Sequence, residues 1–447
     1  MYSQTSVDPN HDEHKKTSSQ ETNHIILIEA RLIRSTTSLP LNQISSHSPY
    51  LTMALRASLF FLAGTALAMP ADKVSARQAD CGKAKTNIPA VNDAKLPDPF
   101  TFADGSKVAT KADWACRATE IQNAFEQYEL GDFPPPPDKV EASLSGNTLT
   151  VKVTVGTKSI SMTASVTKPS GTGLFPAIIG VGGASIPIPG TVAQITFGND
   201  AFAAQNGQNS RGQGLFYTLF GQQHSAGALT AWAWGVGRLI DGLEQLGSAQ
   251  TGIDTKMLGV TGCSRNGKGA FVVGALEKRI ALTIPQESGS GGAACWRISD
   301  SEKAKGKNIQ TSSQIVGENV WFSPLFNTWA TRSSQVPEDH HLLAGLVAPR
   351  GLYVAENDID WLGPVSTTGC MKAGRLIYQA LGVPENMGFS LVGGHNHCSF
   401  PSGQNAELTQ YINYFLLNSA TKPSILERST VNVNVKDYAT WSAPTLT

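Results

Sequence analysis

Residues 257–270, Met257-Leu258-Gly259-Val260-Thr261-Gly262-Cys263-Ser264-Arg265-Asn266-Gly267-Lys268-Gly269-Ala270, read as a strand, a glycine-flanked serine and a helix. Small residues on both sides of Ser264 permit a sharp turn that pushes its hydroxyl out at a helix N-terminus, the arrangement of a nucleophile elbow. Free amides and the helix dipole at such a point suit a developing oxyanion. The usual spacing is Gly-x-Ser-x-Gly, whereas here the second glycine, Gly267, falls one residue later. A strand, Gly-rich turn and helix is also how phosphate is cradled, but the Gly-Lys-Ser or Gly-Lys-Thr ending of that motif is absent. Two cations adjoin the serine: Arg265 directly, and Lys268 one helical turn on. Cations at a helix start oppose the dipole, so another interaction must favour them there.

A serine at its ordinary pKa needs a base, usually a histidine held by a carboxylate. In the chain order of this elbow the acid follows the serine and the histidine comes last. The late segment Phe389-Ser390-Leu391-Val392-Gly393-Gly394-His395-Asn396-His397-Cys398 supplies two histidines. If Cys263 pairs with Cys398, their Cα atoms are held about 5–6 Å apart, which brings Ser264 and His397 within reach of each other. His397 is then the expected base, and His395 the residue that orders the loop. For the acid, Glu287 ends the apolar run Ile280 to Pro285, while Asp358 and Asp360 lie one strand later, the commoner location. Position alone favours the aspartates. Glu338-Asp339-His340-His341 has metal-ligand residue types, but reads as a solvated helix start.

These groups need a frame. Residues 139–166 alternate apolar and polar, as in Thr148-Leu149-Thr150-Val151-Lys152-Val153, and predict antiparallel strands at a sheet edge. Continuous apolar runs follow at Pro176–Val181, Met257–Thr261, Ile280–Pro285, Gly351–Ala355 and Phe389–Val392, as expected of parallel strands buried on both faces. Helical stretches lie between them. The clearest covers about 226–246, with Trp232, Val236, Leu239, Ile240 and Leu243 on one face. Strands alternating with helices predict one doubly wound α/β sheet, with ligands bound beyond the strands' carboxyl ends. The tail after Ser419 is polar and is expected to wrap the surface.

The chain has 447 residues, 40% of them apolar, so a large core is available. Charged residues make up 16%, below the roughly 25% usual in soluble domains. Lys+Arg and Asp+Glu are equal at 35 each, which leaves no net field for nucleic acid or an anionic membrane. Residues 1–52 are polar and aperiodic. Met53-Ala54-Leu55-Arg56, the apolar run Leu59–Leu67 and Ala66-Leu67-Ala68 together describe a secretory signal peptide over 53–68. Translation is therefore expected to start at Met53, with residues 1–52 a non-native upstream extension and 69–80 a propeptide. All six cysteines (81, 116, 263, 295, 370 and 398) lie beyond it, which fits three disulfides formed in an oxidising compartment. No Asn-x-Ser/Thr sequon occurs.

Gly262-Cys263-Ser264-Arg265-Asn266-Gly267-Lys268-Gly269 resembles the signature of the fungal glucuronoyl esterases, a family that acts on plant cell walls. Similarity extends from about Cys81 to Leu417. The resemblance implies a single-domain α/β-hydrolase fold over 81–447 and a secreted serine esterase that cleaves 4-O-methyl-glucuronic acid esters between glucuronoxylan and lignin. It replaces the aspartates by Glu287, on the family's Pro-Gln-Glu-Ser-Gly segment, and agrees with His397 as base. It further implies disulfides Cys263–Cys398, Cys295–Cys370 and Cys81–Cys116. Lys268, Gln310, Glu318 and Trp361 are implied as sugar contacts, with Arg265 assisting the oxyanion. No metal or cofactor, nucleic acid or membrane is implied, and a monomer is expected. Many relatives carry a cellulose-binding module on a linker; neither is seen here, so a bare catalytic domain is expected. An acetyl xylan esterase or lipase-like enzyme with the same triad, or a non-catalytic wall-binding protein, are the competing readings.

Overall fold

The computed structural model describes residues 81–82 and 84–447. The expected start at Met53, the signal peptide and the propeptide therefore lie outside the described residues.

Ten strands form one sheet: β1 (Lys139–Ser145), β2 (Thr148–Val155), β3 (Lys158–Thr167), β4 (Phe175–Val181), β5 (Ala193–Phe197), β6 (Ile253–Cys263), β7 (Ile280–Gln286), β8 (Gly351–Glu356), β9 (Met387–Leu391) and β10 (Glu427–Arg428). Their spatial order is β1-β2-β3-β5-β4-β6-β7-β8-β9-β10. The first three strands are antiparallel, as their alternation predicts. In β3 the side chains of Ile160, Met162, Ala164 and Val166 turn inward while the intervening residues are exposed. From β5 onward every pairing is parallel, and β8 is buried at every position. This is the predicted α/β architecture, carried by continuous apolar runs because helices cover both faces.

The longer helices are α1 (Lys111–Phe125), α2 (Ala228–Leu246), α3 (Arg265–Leu276), α4 (Trp296–Ala304), α5 (His340–Val347), α6 (Pro364–Ala380) and α7 (Asn405–Phe415). Helix α2 is buried beyond the single face read from its sequence: Leu229, Ala231, Ala233 and Trp234 are enclosed as well. An aromatic cluster on its outer side is the reason. Phe202 and Phe220 pack on Trp234 with ring centroids 6.2 and 5.1 Å away.

Two expectations are corrected. Glu338-Asp339-His340-His341 is no solvated helix start: all four are fully buried at the entry to α5. Asp339 accepts from the amides of Trp296 (2.7 Å) and Arg297 (3.1 Å) and pairs with the Arg297 guanidinium at 3.3 Å. His340 Nε2 lies 2.8 Å from Glu129 Oε1, and His341 Nε2 lies 2.9 Å from the Pro97 carbonyl. For Asp339, His340 and His341 the partners come from distant segments, which lets them enter the core. Both carboxyl oxygens of Glu338 are buried without a hydrogen bond, and burial pushes that carboxyl well above the usual glutamate value. The tail does not merely wrap the surface either. It adds β10 beside β9, donates from Trp441 Nε1 to Leu96 O (2.9 Å), buries Leu446 and accepts the Lys111 amide at Thr447 O (3.0 Å).

Leu239 sits fully enclosed in α2. Leu239→Ala is expected to cost about 3 kcal/mol of stability through lost transfer energy and a residual cavity. Urea denaturation checks this, and a loss below about 1 kcal/mol would contradict the packing described.

Candidate active site

Strand β6 ends at Cys263 and α3 begins at Arg265, so the whole turn is one residue, Ser264, with φ 58° and ψ −126°. Two glycines make that turn possible by absence of a side chain. A Cβ on Gly262 would stand 2.4 Å from Asn266 O, and one on Gly267 would stand 2.5 Å from Gln286 O. The second contact explains the displaced glycine of the motif: α3 presses against the end of β7 at that position. The Ser264 amide donates to Gln286 O at 3.0 Å and its carbonyl accepts the Lys268 amide at 2.9 Å.

The carboxylate of Glu287 follows directly after β7 and is nearly inaccessible to solvent. Its Oε2 lies 2.7 Å from His397 Nδ1, accepts the Cys398 amide at 2.9 Å and the Asn357 side-chain amide at 3.3 Å. Oε1 accepts from Gln286 Nε2 at 3.2 Å. Burial alone would raise this carboxyl; the donors, His397 first, outweigh it and hold it below the usual glutamate value. Glu287 thus takes the place that position alone assigns to Asp358 or Asp360. Both aspartates are exposed and line a separate cavity of about 450 Å³ with Lys307, Asn308 and Thr430. His395 orders the loop, its Nε2 lying 2.8 Å from Val392 O and its Nδ1 3.2 Å from Asn357 Nδ2.

Three disulfides join Cys263 to Cys398, Cys295 to Cys370 and Cys81 to Cys116. The first holds Cα atoms 5.7 Å apart and ties the residue before Ser264 to the residue after His397. Among the described residues, non-glycine positive φ occurs at Ser264, Glu287 (44°), Cys398 (63°) and Asn418. Three of these four belong to this site, where surrounding structure must over-determine the strained backbone. Cys263, Cys398 and His397 cluster closely enough to suggest a metal, but the two sulfurs are already bonded to each other.

A cavity of about 320 Å³ is lined by Ser264, Arg265, Lys268, Gln310, Glu318, Trp321, Trp361 and His397. It gathers every residue singled out as a sugar contact, together with the serine and histidine. His397 Nε2 is buried and makes no hydrogen bond, free for a reacting hydroxyl; such bonds often tighten only on substrate engagement. Trp361 packs edge-on against the His397 ring, centroids 4.9 Å apart. Gln310 Nε2 donates to Glu318 Oε2 at 3.0 Å, and the Gln310 amide to Trp361 O at 3.3 Å, so these three walls are coupled. The two cations beside the serine differ. Arg265 is exposed, whereas Lys268 is buried, donates to Ser288 O at 2.5 Å and lies 5.8 Å from the Trp321 ring centroid. Burial lowers its ammonium to about 8, against the opposing charges of Glu356 and Glu318.

Sequence reasoning missed Trp321 and the residue that holds it. Gln205 accepts the Trp321 indole N–H at 2.8 Å and donates to Asp200 Oδ1 at 2.6 Å and Asn266 Oδ1 at 3.3 Å, fastening the indole to the elbow helix. No local pattern marks Trp321, which reads as one of three apolar residues in Val320-Trp321-Phe322. Chemically, the arrangement joins a strained hydroxyl, an imidazole held by an ionised carboxylate and a polar, aromatic cavity.

A family model described as "Glucuronyl esterase, fungi" matches residues 151–382. The chain is 66% identical over 393 residues to a 4-O-methyl-glucuronoyl methylesterase of Thermothelomyces thermophilus, covering 87% of this chain and 98% of that one. It is 64% identical over 398 residues to the enzyme of that name from Neurospora crassa, covering 89% and 99%. Among solved structures, the glucuronoyl esterase from Sporotrichum thermophile superposes with a TM-score of 0.80 at 68% identity, over 81% of this chain and 99% of that one. A mutant of it was solved in complex with methyl 4-O-methyl-beta-D-glucopyranuronate, with the same score and coverage. The catalytic domain from Hypocrea jecorina gives a TM-score of 0.78 at 52% identity, over 81% and 99%. With this extent of identity on a shared fold, the chain belongs to the family of fungal glucuronoyl esterases.

Proposed function

We propose that this protein is a secreted serine esterase that hydrolyses esters of 4-O-methyl-glucuronic acid, including those joining glucuronoxylan to lignin alcohols, and that it acts as a monomer. The observation that carries the reading is the single cavity in which Ser264 and His397 share walls with Lys268, Gln310, Glu318 and Trp361. A polar wall with indole faces suits a hydroxylated ring better than a fatty acyl chain. The relatives' names, and the methyl glucuronate ester bound to one of them, support the same substrate class.

In this mechanism Ser264 Oγ attacks the ester carbonyl as His397 Nε2 takes its proton. The oxyanion is stabilised by the Arg265 amide and guanidinium. The tetrahedral adduct collapses, the alcohol leaves with the proton held on His397, and the uronoyl group remains on Ser264. Water, activated by the same imidazole, then releases the uronic acid and restores the serine. Glu287 keeps the imidazole in one orientation and stabilises its charged form. Lys268, Gln310 and Glu318 grip sugar hydroxyls, and Trp361 and Trp321 pack on the ring.

Ser264→Ala is expected to lower the rate on methyl 4-O-methyl-glucuronate more than about 10³-fold; retained activity would end this reading. Glu287→Gln is expected to lose about 10³ to 10⁴-fold, while Asp358→Asn and Asp360→Asn stay within about threefold of wild type. An aspartate variant as damaging as Glu287→Gln would reassign the acid. For the proposed organisation, with a start at Met53, a signal peptide over 53–68 and a propeptide to residue 80, peptide mapping of secreted protein should find nothing from residues 1–52. Recovering such peptides would refute it.

A further inference from the structure

We propose that Glu356, the last residue of β8, is a positioning residue for this reaction: its carboxylate clamps the turn that carries Glu287 and supplies the counter-charge for the buried ammonium of Lys268. The inference rests on the esterase reading and adds to it a residue that does not itself line the cavity.

Glu356 is about 1% exposed and ends the strand where the acid of this elbow arrangement is most often sought. It does not reach His397. Instead Oε1 accepts three hydrogen bonds from the segment after Glu287: the Ser288 amide at 2.7 Å, the Ser288 hydroxyl at 2.9 Å and the Gly289 amide at 3.2 Å. That segment is a turn with positive φ at Glu287 (44°) and Gly289 (51°), so its amides cannot follow a regular ladder and need an acceptor from outside. On the other side of the same residue, Ser288 O accepts from Lys268 Nζ at 2.5 Å. Ser288 is thus held between an anion on its amide side and a cation on its carbonyl side. The two charges meet through one peptide unit.

The charge matters as well as the geometry. Lys268 faces Ser288 O, the Trp321 ring and the charges of Glu356 and Glu318. A buried ammonium is disfavoured unless anions compensate it. Glu356 Oε2 is buried with no hydrogen-bond partner, a desolvated carboxyl atom whose cost is offset only by the donors on Oε1 and the nearby cation. Burial pushes the Glu356 carboxyl up to about 7, with the Ser288 and Gly289 donors opposing and Glu287 adding to the rise. Removing its negative charge would lower the Lys268 pKa further, so the lysine would lose its proton at a lower pH.

Kinetics of Glu356→Gln on methyl 4-O-methyl-glucuronate between pH 5 and 9 test this. The amide keeps an acceptor for the turn but lacks the charge. The expected result is kcat within about threefold of wild type, KM raised about fivefold at pH 8, and an alkaline fall in kcat/KM moved down by about one pH unit. Glu356→Asp keeps the charge, so its alkaline limb should stay in place even where the shorter side chain loosens the turn and lowers kcat. In a Lys268→Met background, Glu356→Gln should add less than about twofold. An unchanged KM and alkaline limb in Glu356→Gln, a shifted limb in Glu356→Asp, or an undiminished fivefold effect without Lys268 would each overturn the proposal. Wild type inactive on this ester would instead overturn the esterase reading itself.

Discussion

Three chain segments converge on one carboxylate. Glu287, directly after β7, receives at Oε2 the imidazole of His397 and the amide of Cys398 from the loop after β9, and the side chain of Asn357 from the end of β8. A buried anion of this kind is tolerable only while its donors stay in place, since each lost partner leaves uncompensated charge. The carboxylate therefore pulls the strand ends into one geometry. Cys263–Cys398 fastens the fourth segment, the nucleophile turn at the end of β6. Removing any one strand end would leave a charge, a strained turn or a loop without its restraint.

Strain and support are matched around this point. Ser264, Glu287 and Cys398 hold backbone conformations that cost of order 1–3 kcal/mol each. The opposing terms are visible nearby. Gly262 and Gly267 let α3 approach β7, hydrogen bonds from Ser264 and Glu287 amides reach neighbouring strands, and the disulfide limits what unfolding could recover. The parallel sheet supplies rigidity beneath. Side chains that line the cavity then stand on the C-terminal edge of that sheet and on loops tied together by Gln205 and Gln310.

Much of this frame is legible in the residues alone, for identifiable reasons. Parallel strands buried on both faces leave uninterrupted apolar runs, and a one-residue elbow demands glycines that a regular helix start would not. The pairing of Cys263 with Cys398, assumed in choosing His397 and implied by the family resemblance, is present in the structure. What escaped is what depends on register or long-range partnering. Position alone points to Asp358 and Asp360, and only the resemblance points to Glu287. It is Glu287 that meets His397, because β7 ends beside the elbow strand, with Cys263 opposite Gln286, and the next residue turns back under the histidine. Asp339, His340 and His341 have partners on distant segments, and Glu338 is buried beside them without a hydrogen bond, so their sequence resembles solvent-facing helix. Trp321 and Gln205 carry no local periodicity that separates a cavity wall from a core.

The cavity's rim has one further meaning. Arg265 and Glu318 are exposed, and Trp361 and Gln310 are partly so. The cleft is thus a shelf at the protein surface and not a tunnel. An ester on a side branch between two polymers has no free end to feed through a gate, and it cannot diffuse to its enzyme. A shelf can be pressed sideways against such a branch at any point along the chain. The bulk on either side of the bond is then left in solvent, so under the proposed function the same geometry sets few limits on the size of what the bound ring is attached to.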